Sequence, residues 1–133
     1  MDKLDLELAA YKELTAKEFE YEDFIADHKR QLVSLEENRA DIYSRRVDLS
    51  RLIDDEQSYM RYFLEKIDGS EDTLKTYGID LDSLLGESAM IYQQQISEID
   101  DKESDLREKY HRKRIEYEEE IERLRRVYVS THQ

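Results

Sequence analysis

The sequence predicts an all-α protein in which two long helices fold into an antiparallel coiled-coil hairpin. Three observations carry this. Proline is absent and the only three glycines, Gly69, Gly78 and Gly86, lie close together, so helix breakers are confined to one place. Apolar residues recur at alternating three- and four-residue steps on both sides of that place. Acidic and basic stretches are ordered so that folding back brings opposite signs together.

Helix one is expected from about Leu4 to about Asp68. Stepping by seven from Leu4 meets Tyr11, Ile25, Leu32, Ile53, Met60 and Ile67, with Glu18, Arg39 and Arg46 between them. A companion line meets Leu14, Tyr21, His28, Leu35, Ile42, Leu49, Glu56 and Phe63. These two lines form the a/d seam of a coiled coil, sustained over a helix of about 100 Å at 1.5 Å per residue. Charged residues make up 41% and hydrophobic residues 38%, a mixture that could also serve a disordered chain. The ten tyrosines, three phenylalanines and the unbroken periodicity argue against disorder.

The hinge is expected over about 69–79. Gly69 suits the residue just past a helix end, and Ser70 can cap a short turn carrying Glu71 and Asp72. Gly78 then closes that turn, and Asp80 caps helix two, which runs from about Asp80 to about Tyr128. Helix two has its own seam in Leu85, Tyr92, Ile99, Leu106, Lys113, Glu120 and Val127, beside Ala89, Ile96, Glu103, Tyr110, Tyr117 and Leu124. With the hinge centred near Leu74, the most buried residues should be Ile42, Leu49, Ile53, Phe63, Leu85, Ile96, Ile99 and Leu106. All 133 residues are read as one helical-hairpin domain.

Helix one carries a further apolar line. Phe19, Ala26, Val33, Ala40 and Val47 recur every seven residues beside the seam. This makes the apolar arc wider than one partner helix fills, so the line is expected to bind helices of another protein or of a second copy. Polar residues interrupt the seam, and two explanations stand: they fix register, or they snorkel to solvent. In the expected register Glu103 meets Arg45 or Arg46, and Tyr92 meets Glu56.

Other chemistries are poorly served. The net charge is −13, and the basic tract Arg107 to Arg126 is interleaved with glutamates, which leaves little charge for phosphates. Cysteine is absent, so no disulfide or thiolate metal site can form. Glu108 and His111 have the Glu-x-x-His spacing of di-iron bundles, but the required second copy is missing. No phosphate loop or nucleophile triad is visible. The chain is therefore read as a non-enzyme without cofactor, metal, nucleic-acid partner or small-molecule substrate. No run is apolar enough to insert in a membrane, and the start Met1-Asp2-Lys3-Leu4-Asp5 does not resemble a signal peptide.

Two stretches carry a family resemblance. Glu56-Gln-Ser-Tyr-Met-Arg-Tyr-Phe63 is aromatic-rich, and Leu106-Arg-Glu-Lys-Tyr-His-Arg-Lys-Arg114 is highly charged. Leu84-Leu85-Gly86 is similar to a W-x-G turn with leucine in place of tryptophan. Over about residues 45–128 the chain resembles the small α-helical proteins encoded beside LXG-domain toxins of bacterial type VII secretion. Those proteins are related to WXG-type hairpins. The resemblance implies an adaptor or targeting chaperone that packs beside the helical N-terminal domain of such a toxin. It implies a cytoplasmic protein, or one co-exported with its partner. One departure stands out. Secretion-signal members carry an aromatic-x-x-x-acid motif after the second helix, and Tyr128-Val-Ser-Thr-His-Gln133 has none. The resemblance thus implies a companion that does not itself bear the signal. The alternative function is a self-assembling structural coiled coil.

Overall fold

The computed structural model describes residues 2–66 and 71–132, and it is all-helical. Helix α1 spans Lys3–Lys66 and helix α2 spans Glu71–His132, and the two pack together as a helical hairpin. Helix α1 is continuous past Asn38. Asp5 lies in the first turn of α1, and Glu71 and Asp72 lie in that of α2; Lys66 and His132 lie in the last turns. The acids at the N-terminal ends and Lys66 at the C-terminal end of α1 complement the helix dipole. The backbone N–H of Leu6 donates to the carbonyl of Asp2 at 3.1 Å, which closes the first turn.

The expected hinge is too long. Residues 71–79 belong to α2, so Asp80 caps nothing and Gly78 terminates nothing. The roles assigned to Gly69 and Ser70 fall outside the described residues. Neither Gly78 nor Gly86 has a left-handed backbone, and a Cβ at either would meet nothing within 4 Å. A glycine inside a helix costs backbone entropy without serving a turn. Gly78→Ala should therefore raise stability by about 1 kcal/mol in a urea melt. A loss of stability would put Gly78 back in a turn.

Contacts along the chain gather into two compact units. Unit 1 comprises 1–34 and 102–133; unit 2 comprises 35–101. Each contains one stretch of each helix, running antiparallel. In unit 1, Leu14, Ile121 and Leu124 form the core, with Tyr21 and Tyr128 packed against it. In unit 2, the buried apolar residues are Ile53, Leu64, Leu81 and Ile99.

Both seams depart from a strict seven-residue repeat. Burial in α1 follows Ala10, Leu14, Lys17, Tyr21, Phe24 and His28, then steps four residues to Leu32. Leu35, Arg39, Ile42, Leu49 and Ile53 continue it, and another four-residue step passes to Gln57. Leu64 is buried as a result, and Phe63 is 43% exposed instead of belonging to the core. On α2 the seam follows Leu85, Tyr92, Ile96, Ile99, Leu106 and Tyr110, then shifts by one residue to Arg114, Ile121 and Tyr128. Lys113 and Val127 are exposed in consequence. An α-helix drifts by about 20° per heptad unless it supercoils fully, and these extra steps absorb the drift. Of the expected core, Ile53 and Ile99 are buried, while Ile42, Leu49, Leu85, Ile96 and Leu106 are half-buried.

Candidate protein-binding faces

Unit 1 is held by an aromatic ladder between the helices. Tyr21 stacks on Tyr117 at 5.2 Å, Phe24 stacks on Tyr110 at 5.5 Å, and His28 lies flat on Tyr110 at 3.9 Å. The Tyr21 hydroxyl donates to Glu118 and that of Tyr117 donates to Glu20, each at 3.1 Å. Burial, then the carboxylate partner, raises both phenols above the usual tyrosine range. His28 is pushed the other way, by burial first and by the Arg107 guanidinium second, so its imidazole favours the neutral form. The His28–Tyr110 stack falls at the four-residue steps of both seams. A flat ring pair fills a layer where the knobs of neither helix are in register.

The polar seam takes a different register from the one expected. In unit 2, Arg46 lies over the Tyr92 ring with its guanidinium carbon 4.4 Å from the centroid. Arg39 pairs with Asp100 at 2.7 Å, and Tyr77 donates to Glu56 at 2.7 Å. That hydrogen bond is the main cause of a raised Tyr77 pKa. Paired positions are thus symmetric about a point between Lys66 and Glu71, earlier than Leu74. The pairing of Tyr92 with Glu56 is replaced. Arg45 binds Asp41 on its own helix at 3.6 Å, and in unit 1 Glu103 accepts from Arg107 at 3.3 Å. The expected match of Arg45 or Arg46 with Glu103 would join one unit to the other, and each unit is described by itself. Within unit 2 the register differs from the expected one because residues 71–79 are helical, which shortens the expected hinge.

The extra apolar line on α1 is largely open. In unit 1, Phe19 is 62% and Val33 56% exposed, and Ala26 is half-buried. In unit 2, Ala40 is exposed and Val47 is half-buried rather than free. In unit 1, the stretch of α2 leaves Phe19 and Val33 open.

A second open face was not anticipated. Unit 2 has a cleft of about 260 Å³ between its helices, with Ile42 and Leu49 on one wall and Leu84 and Ile91 on the other. Beyond the cleft's lining, Leu52, three residues after Leu49, and Tyr59, seven after Leu52, follow along the same side of α1, and Tyr59 stacks on Phe63 at 6.2 Å. Leu52 is 65%, Leu84 45% and Ile91 56% exposed. The signal was present in the sequence. Leu52 and Tyr59 sit one residue before the core positions Ile53 and Met60, and Leu84 and Ile91 sit one before Leu85 and Tyr92. In an antiparallel pair, both preceding positions turn to the same flank.

Among the described residues, no three His, Cys, Asp or Glu side chains converge as a metal site, and no helix is long and apolar enough to cross a membrane. No protein-family model matches the chain, and no characterised protein or solved structure is significantly similar to it.

Proposed function

We propose that this chain is a non-catalytic binding module, an adaptor or targeting chaperone whose helices are completed by the helices of another protein. The observation that carries this reading is the exposure of large apolar side chains in periodic lines, with Phe19 and Val33 in unit 1 and Leu52, Leu84 and Ile91 in unit 2. Scattered surface apolars need no explanation, but lines at helical spacing form strips that a partner helix can cover. Among the described residues, no large side chain is fully buried. A two-helix core this thin gains from any partner that adds a layer. The motifs at 56–63 and 106–114 extend the proposal to the helical N-terminal domain of a type VII-secreted LXG toxin as the partner. Co-expression with such a domain, followed by a mass measurement on the purified species, tests it. A stable complex of both chains is expected. Failure of the two to co-purify, with each folded on its own, would remove the toxin-partner reading.

A further inference from the structure

Unit 2's cleft says more about its occupant than its apolar floor does. Leu52 is bracketed at helical spacing by Asp48 and Asp55, and Leu84 is bracketed in the same way by Asp80 and Glu87. All four acids are exposed, and none has an ion-pair partner among the described residues. The cations at the cleft are already engaged: Arg45 with Asp41, and Arg46 with the Tyr92 ring. The face is thus an apolar trough whose α2 rim carries Asp80 and Glu87 with no cation between them, while Asp48 and Asp55 share the α1 rim with Arg45 and Arg51.

The geometry points to a docking site for a basic amphipathic helix, with apolar residues at i, i+3, i+4 and i+7 flanked by lysine or arginine. Such a helix lays its stripe along Leu49, Leu52, Leu84 and Ile91 and meets the acids with its flanks. An acidic helix would place like charges on the α2 rim. A second copy of this chain fits poorly for two reasons. Its own cleft repeats the acidic α2 rim, and its basic tract already buries the stripe it would need, Ile121 and Leu124, in unit 1. This inference rests on the binding-module reading and assigns it a second face, separate from the Phe19 line.

The test uses the full chain and three labelled synthetic 18-residue peptides, read by fluorescence anisotropy. One carries a leucine stripe flanked by lysines, one the same stripe flanked by glutamates, and one the lysine composition scrambled. The lysine-flanked helix should bind at least about tenfold tighter than either control, a margin typical of losing one or two anchor contacts. Leu52→Gln with Ile91→Gln should erase that preference. Both residues are exposed, so helix content should not change, which circular dichroism checks. Asp80→Asn with Glu87→Gln should weaken the same peptide and flatten its salt dependence. Equal binding of the scrambled peptide would mean diffuse charge attraction and overturn the site. So would preference for the glutamate peptide, indifference to the Leu52/Ile91 variant, or a dimer of the chain that this variant dissolves. If the peptides fail while a toxin domain still co-purifies, only this inference falls. If both fail, the binding-module reading falls with it.

Discussion

Replacing Leu124 with alanine should cost about 2–3 kcal/mol of stability, near the lower end of what buried leucines lose. Leu124 is 3% exposed and packs with Leu14 and Ile121 in the core of unit 1. The loss combines the transfer of the removed methyls with the space they leave. In a core only two helices thick, water and neighbouring side chains reach that space easily, which keeps the cavity contribution small. Small domains are stable by about 5–15 kcal/mol, so the change would be prominent in a urea melt. Val129, five residues on and 52% exposed, provides the control, and its alanine variant should stay within about 0.5 kcal/mol of the parent. Near-ultraviolet circular dichroism should weaken alongside, because Tyr21 and Tyr128 border the same cluster. A Leu124→Ala change no larger than the Val129→Ala change would mean that unit 1 is not packed as described.

Introducing glutamate at both Phe19 and Val33 should abolish association with a helical partner while leaving the helices intact. Burying a phenylalanine or valine side chain contributes about 1.5–3 kcal/mol, so two lost anchors reduce affinity by more than about hundredfold. The charges introduced would also need to be desolvated in the complex, which adds to the loss. In the free chain both residues face solvent, so the substitutions remove no core contact. Val47 is a poorer choice for this experiment. It is half-buried, and a glutamate there would mix stability with binding. A partner that binds the double variant as tightly as the parent would rule out the Phe19 line as an interface.

The two helices were legible because glycine and proline placement and seam periodicity agree, and neither depends on the partner. The hinge was not, for a local reason. Gly78 followed by Ile79 and Asp80 reads as a stop and a restart, yet the Leu74, Tyr77 and Leu81 steps already belong to the seam of α2, and packing overrides a single weak helix former. Once the hinge shortens, every cross-helix pairing shifts, which is why Arg46 meets Tyr92. Individual core positions were legible where the expected lines still meet the seam, as at Leu14, Ile53, Ile99 and Leu124. A fixed seven-residue ruler accumulates error towards the ends, so Phe63 replaced Leu64 and Val127 replaced Tyr128 in the expected seam. Phe19 and Val33 were found because their line stands apart from the seam. Leu52, Tyr59, Leu84 and Ile91 were overlooked because each adjoins a core residue. Only the antiparallel pairing shows that the two lines share a flank.

The central claim is that the open apolar lines await helices of a different protein. Light scattering on the isolated chain tests this most directly, across a concentration range reaching well above micromolar. The account predicts a monomer of 16.1 kDa, weakly self-associating at most, that shifts to the mass of a mixed complex when a helical partner is supplied. A stable symmetric dimer or larger bundle, formed by the chain alone and lost with Phe19→Glu and Val33→Glu, would contradict it and make the protein a self-assembling coiled coil.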